Sequence, residues 1–191
     1  MVFSLFARTH SLADTPKSQP LWHPEYPIEQ IVRTRDSERH ALVLQDAWRR
    51  RPTIADTLYV PDYNGLRVLG RSEGALEHAM AEVARRHGNA FMVEPPSVRY
   101  VHGARVLEPW MDVLVNVPEH HCRHVERDFA RRRGNVRRLA QQGVAFVLEG
   151  EAPLADLLGY AEWLRNLTED DPYVATRLSR YLPIDYGPQA A

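Results

Sequence analysis

The chain has 191 residues, of which 44% are hydrophobic and 26% charged, as is typical of a soluble globular protein. Its formal net charge of −1 excludes a bulk attraction to nucleic acid, so any such binding would come from a local patch of basic side chains. A single cysteine excludes an internal disulfide framework, and no stretch has the length and hydropathy of a secretion signal or a membrane span. We therefore expect a cytoplasmic protein.

Composition and periodicity divide the chain into two domains with flanking segments. Residues 1–26 are interrupted by prolines and show no sustained period, which predicts an irregular N-terminal arm. The remaining segments are a first domain at 27–100, a linker at 101–107, a second domain at 108–185 and a short tail at 186–191.

The first domain alternates strand and helix patterns. A strand pattern at 28–34 precedes a helix, and an Asn64-Gly65 turn then separates two further strands. Ser72 is the expected N-cap of a second helix that Gly88 ends, and a fourth strand follows. The order βαββαβ predicts a ferredoxin-like domain.

The second domain repeats this order with a different sequence. Its first strand has apolar residues at alternate positions, and a helix follows in which Cys122, Val125 and Phe129 share one face. A hairpin at 135–152 leads into a second helical stripe at 154–164, and a last strand covers 173–182. The predicted fold class is α+β: two ferredoxin-like domains in tandem, with antiparallel sheets that each carry two helices on one face.

Several motifs of the second domain resemble domain V of elongation factor G and related translational GTPases. The strongest is PLADLLGYAEWLRNLT at 153–168, and EPWM, VNVPE, RRRG and LSRYLP stand in the family's order around it. Residues 27–100 resemble domain III more weakly, through Gly70-Arg71-Ser72-Glu73, with Ser72 in place of a glycine and Ala75 in place of a histidine. The resemblance implies a ferredoxin-like fold and a partner in the ribosome, either ribosomal RNA or ribosomal protein.

The family's GTPase motif does not occur in the sequence. No G-x-x-x-x-G-K-[S/T] phosphate loop is found, so neither GTP nor another cofactor is expected to bind. The linker at 101–107 also stands where the family has a separate domain. No Ser/His/Asp or Cys/His constellation points to catalysis, so the chain is not expected to be an enzyme.

A histidine pair is the one weak candidate for a metal site. His120 and His124 stand at i and i+4, a spacing that places two imidazoles on one helix face. However, Cys122 between them belongs to the apolar stripe, and no second close His/Cys pair completes four ligands. A structural or solvated role is favoured, and no metal is expected.

Five arginines surround Gly134 and form the candidate surface for RNA or a partner protein: Arg131, Arg132, Arg133, Arg137 and Arg138. They fit either a solvated face that complements a helix C-terminus or a patch that binds phosphates. Downstream, Glu169, Asp170 and Asp171 reverse the charge that the family has in this loop, and they would repel a phosphate surface.

Two function classes therefore remain open. In the first, the chain binds the ribosome or a translation component without hydrolysing GTP. In the second, it is a protein-interaction or dimerisation module unrelated to the ribosome, because ferredoxin-like sheets offer edges for strand addition.

Overall fold

The computed structural model describes residues 23–34, 37–49, 56–62, 65–88, 91–168 and 172–184. The predicted tail, the acidic loop at Glu169–Asp171 and all but residues 23–26 of the predicted arm lie outside these ranges.

The first sheet is built from the N-terminal half of the chain. Its elements are β1 (Ile28–Thr34), α1 (Ser37–Arg49), β2 (Thr57–Asp62), β3 (Gly65–Gly70), α2 (Glu73–His87), β4 (Phe91–Val93) and β5 (Ser97–Val98). The strand order is β2-β3-β1-β4, all neighbours are antiparallel, and β5 also pairs with β1. The first strand thus lies between the third and the fourth, as the βαββαβ order predicts.

The second sheet repeats that topology. Its elements are β6 (Val101–His102), β7 (Val106–Pro118), a 3-10 turn (Glu119–His121), α3 (Cys122–Arg131), β8 (Asn135–Gln142), β9 (Ala145–Pro153), α4 (Leu154–Leu157), α5 (Tyr160–Thr168) and β10 (Tyr173–Pro183). The order is β10-β7-β9-β8, again antiparallel throughout. The predicted fold class of two tandem ferredoxin-like domains is confirmed.

The first residues of the predicted linker add a short hairpin to this sheet. In β6, Val101 pairs with Leu107 and His102 with Val106, so that β6 folds back on the start of β7.

Helix capping in the first domain follows the sequence. The Ser72 hydroxyl accepts a hydrogen bond from the N–H of Ala75 at 3.3 Å, which satisfies one of the unpaired donors at the start of α2. At the other end, Gly88 has a φ of 61° and its N–H donates to the carbonyl of Ala84. Both predicted ends of α2 are confirmed.

The core of the second domain lies between β7 and the helices. Met111, Val113, Val115 and Val117 alternate along β7 and are each at most 3% exposed. Phe129 of α3 is fully buried and packs toward Tyr160, with ring centroids 6.2 Å apart. The period-two pattern of β7 is thus confirmed, and it buries one face of the central strand.

The continuous helix predicted at 154–164 is wrong. Leu158 has extended backbone angles, with φ −57° and ψ 129°, and Gly159 has a φ of 72°, so α4 and α5 are separate helices. Both helices nevertheless contribute to the same apolar face: Leu154 and Leu157 of α4 and Leu164 of α5 are all buried. The break also turns Tyr160 inward, where its side chain is 2% exposed.

Among the described residues, no helix has the length and hydropathy needed to cross a membrane.

Candidate nucleic-acid interface

The five predicted arginines occupy the end of α3, the following turn and the edge strand β8. Arg133 has a φ of 57°, and Gly134 then passes close to the core. A Cβ at Gly134 would lie 2.4 Å from Cδ1 of Phe129 and 2.5 Å from its carbonyl oxygen. Only glycine fits there, so the position of the turn relative to Phe129 is tightly restricted.

Arg132 is part of the structure of this turn. Its Nε donates to the Asp128 carboxylate at 2.5 Å, and its Nη1 donates to the carbonyl of Asp156 at 2.6 Å. The guanidinium also lies over the rings of Tyr160 and Trp163, 4.9 and 5.8 Å from their centroids. These contacts tie α3 to α4 and α5.

Arg133 forms a two-pronged ion pair with a buried acid. Its Nη1 and Nη2 donate to the two carboxylate oxygens of Glu108 at 2.9 and 3.0 Å, and its Nε donates to Asp156 at 2.5 Å. Glu108 is only 4% exposed. The hydrogen bond to Glu108 is the main reason that the pKa of Arg133 is raised above its ordinary value.

The two arginines of β8 are paired across the sheet. Arg137 donates to the carboxylate of Asp112 and, at 3.1 Å, to the carbonyl of Gly150. Arg177 donates to the other oxygen of Asp112 at 3.2 Å. Although burial alone would raise the pKa of Asp112, the hydrogen bonds from Arg137 and Arg177 hold it below the ordinary value.

Arg138 lies 3.4 Å from Glu149, so four of the five predicted arginines have carboxylate partners on neighbouring strands or helices. Arg131 differs from them. Its side chain is exposed, and within the described ranges no carboxylate lies within ion-pair distance of it. The structure therefore divides the predicted patch into four arginines that are ion-paired, three of them still exposed, and one exposed arginine without such a partner among the described residues.

Arg131 has two neighbours on α3 that the sequence interpretation did not single out. Arg123 and Arg127 precede it at intervals of four residues, a spacing that places the three side chains on one helix face. All three are exposed, and none has a carboxylate partner in the part of the chain that the structure describes. We call these residues the α3 ridge; the i, i+4, i+8 spacing was the signal that could have identified it.

The histidine pair lies beside this ridge. His120 is exposed in the 3-10 turn and its ring centroid is 4.0 Å from that of His121, while His124 is exposed on α3. Cys122 is half-buried and packs against the core, as its place in the apolar stripe predicts. Over the described ranges, the structure brings together no group of three or more His, Cys, Asp or Glu side chains that could hold a metal.

A groove of about 370 Å³ lies between the two domains. Its lining includes Glu73 from α2 and Tyr160 from α5, and the Glu73 carboxylate accepts hydrogen bonds from the N–H of Gly159. Burial raises the pKa of Glu73 and also that of the Tyr160 phenol, whose oxygen has no hydrogen-bond partner among the described residues. The groove thus contains a contact between the two domains.

Comparison with known proteins finds similarity in the second domain. The family described as elongation factor G C-terminus matches residues 105–190. Elongation factor G of Granulibacter bethesdensis is 32% identical over 82 residues, which is 43% of this chain and 12% of that protein. The mitochondrial ribosome-releasing factor 2 of Danio rerio is 35% identical over 83 residues, which is 44% of this chain and 11% of that protein.

A more distant relative is elongation factor 2 of Methanopyrus kandleri, which is 29% identical over 89 residues, or 44% of this chain and 7% of that protein. The chain thus spans only a small fraction of the length of each relative that it matches. The weaker resemblance of residues 27–100 to domain III stays a prediction, because the matches cover the C-terminal region. Residues 105–190 of this chain thus match the family described as elongation factor G C-terminus, and that match is confined to the C-terminal region.

Proposed function

We propose that this chain binds the ribosome through residues 105–190 and does so without hydrolysing GTP. The observation that carries the proposal is the match of residues 105–190 to the family described as elongation factor G C-terminus, together with the complete βαββαβ core in that region. One group of its relatives is named for the release of ribosomes and others are named as elongation factors.

The sequence supports binding without hydrolysis, because these 191 residues include no phosphate-loop motif. The chain would therefore act by occupancy: it would cover a surface of the ribosome, or compete for it, rather than convert chemical energy into movement.

Sedimentation with purified ribosomes through a sucrose cushion tests this proposal. We expect the full chain to pellet with ribosomes and with isolated large subunits at low salt, and to be released at high salt, because charge contacts to RNA weaken as salt concentration rises. Addition of GTP should not change the pelleted fraction. Protein that stays in the supernatant at low salt, with ribosomes in excess, contradicts the proposal.

A second candidate function, self-association, is favoured by the edge of the second sheet. β8 pairs only with β9 among the described strands, and Leu139 and Val144 nearby are 43% and 86% exposed. An edge strand of this kind can pair with its counterpart in a second copy of the chain. Light scattering coupled to gel filtration separates the two candidates: a dimer that fails to bind ribosomes supports self-association, and a ribosome-binding monomer excludes it.

A further inference from the structure

We propose that the α3 ridge, Arg123, Arg127 and Arg131, is the surface through which this chain contacts the phosphate backbone of ribosomal RNA. The inference rests on the proposed function and assigns its contact surface to three specific side chains. Of these three residues, only Arg131 also belongs to the five-arginine surface around Gly134 that the sequence predicts.

The arginines of the second domain differ in whether a carboxylate lies within ion-pair distance of them. The described residues from 106 to 184 include ten arginines, and seven of them lie within 4.0 Å of a carboxylate: Arg132, Arg133, Arg137, Arg138, Arg165, Arg177 and Arg180. The other three are the members of the α3 ridge. The ridge therefore holds the arginines of this domain whose charge no described carboxylate offsets, although several ion-paired arginines, such as Arg177, are also exposed.

The ridge lies on the solvent-facing side of α3. The opposite face of the helix is anchored by Val125 and Phe129, both fully buried. With a rise of about 1.5 Å per residue, the three arginines extend over roughly 12 Å of helix. A row of charges of this length can meet more than one phosphate along a strand of RNA.

The polar side chains of this face favour an anionic partner. His120 and His124 lie beside the ridge and add ring N–H donors, while Glu119 and Glu126 are the exposed acids at its margins. A membrane-binding helix or a protein hot spot needs large apolar side chains at its centre. The large apolar side chains of α3, Val125 and Phe129, are instead buried in its own domain. Guanidinium groups fit a phosphate backbone, where they position the RNA and do not read its sequence.

The test compares three variants of the full chain, each fluorescently labelled, in anisotropy titrations with 23S ribosomal RNA and in ribosome sedimentation. The ridge variant is Arg123→Ala/Arg127→Ala/Arg131→Ala. The matched control is Arg49→Ala/Arg85→Ala/Arg105→Ala, which removes three exposed arginines elsewhere and gives the same net charge. The third variant replaces the ridge arginines with lysine. Alanine is the strongest helix former, so α3 should stay folded, and circular dichroism checks this.

We expect the ridge variant to bind RNA about tenfold or more weakly at low salt. Its slope of log affinity against log salt should be smaller by about three, roughly one for each phosphate that the chain no longer neutralises. The control should behave as the unmodified chain, and the lysine variant should keep most of the slope because it keeps the charges. Equal weakening by the ridge and control variants would overturn the inference, as would tighter binding of polyglutamate than of RNA at equal charge concentration.

The two assays separate this inference from the proposed function. Ribosome binding that is unchanged in the ridge variant overturns the inference and leaves the proposed function intact. Ridge-dependent binding to free RNA without any binding to ribosomes supports the ridge as an RNA surface and overturns the proposed function. Absence of binding to both overturns both.

Discussion

Glu73 and Gly159 connect the two ferredoxin-like domains of this chain. Both carboxylate oxygens of Glu73, in the first turn of α2, accept from the N–H of Gly159, at 3.0 and 3.1 Å. That N–H is available because the chain leaves the helical conformation at Leu158 and Gly159. The break between α4 and α5 thus provides the donor for a contact that spans 86 residues of sequence.

Removal of this acceptor should weaken the coupling between the domains. We expect Glu73→Ala to lower the free energy of unfolding by about 1–2 kcal/mol, because the half-buried N–H of Gly159 loses its partner. Glu73→Gln keeps an acceptor oxygen and should cost much less. Urea denaturation measures both, with the exposed Glu126→Gln as a control for loss of a charge. Equal losses for the alanine and glutamine variants would contradict the role of the hydrogen bond.

The same carboxylate should make stability depend on pH. Burial raises the pKa of Glu73 above its ordinary value of 4.5, so the folded state holds this proton to a higher pH than the unfolded state does. The contribution of the Glu73 carboxyl group to stability is therefore greatest below pH 4.5, and it decreases as the pH rises through the raised pKa. We expect Glu73→Gln, which does not titrate at this position, to gain stability relative to the unmodified chain as the pH rises above 4.5 and through the raised pKa of Glu73. Parallel stability–pH curves for the two proteins would contradict this.

The ion pair between Arg133 and Glu108 should contribute more to the free energy of unfolding than the exposed position of Arg133 suggests. Arg133→Ala leaves a nearly buried carboxylate without its two donors, and we expect a loss of about 1–3 kcal/mol in the free energy of unfolding. Glu108→Ala in the same background should recover part of that loss. A double-mutant cycle measures this coupling, and purely additive effects of the two substitutions would show that the pair is not coupled.

Gly134 and Gly150 should not tolerate a larger residue, because atoms of Phe129 occupy the space that a Cβ would need at either position. A Cβ at Gly150 would lie 2.7 Å from Cε1 of Phe129 and 2.8 Å from the carbonyl of Asn135. We expect Gly150→Ala, like Gly134→Ala, to lower the free energy of unfolding by about 1–3 kcal/mol through overpacking. Gly74 in α2 has open space around its Cβ position, so Gly74→Ala should instead stabilise by about 0.5–1 kcal/mol. Thermal and urea denaturation of the three variants check the contrast.

The sequence predicted the elements of the fold better than the interactions between them. Alternation along β7 and capping of α2 by Ser72 and Gly88 are local signals, and both are confirmed. The break at Gly159 was missed, since the apolar spacing from Leu154 to Leu164 is the same in one helix or two, and a glycine's φ cannot be read from its neighbours.

At the candidate site, too, the sequence did not predict the interactions between elements that are distant along the chain. The acids that pair with Arg133 and Arg137 are Glu108 and Asp112, each 25 residues away on β7. Their proximity depends on the register between strands, which the sequence does not specify by itself. Consecutive arginines therefore suggested a larger free patch than the structure contains. The spacing of Arg123, Arg127 and Arg131 was visible in the sequence, but it became informative only when the partners of the other arginines were known.

Competition on the ribosome tests the central claim most directly. Ribosomes carrying the labelled chain at low salt are titrated with elongation factor G in the presence of a non-hydrolysable GTP analogue, and the bound label is measured by sedimentation. If residues 105–190 bind as the C-terminal domain of that relative does, elongation factor G should displace the chain in proportion to its own binding. A chain that remains fully bound while elongation factor G saturates the ribosome would contradict the account.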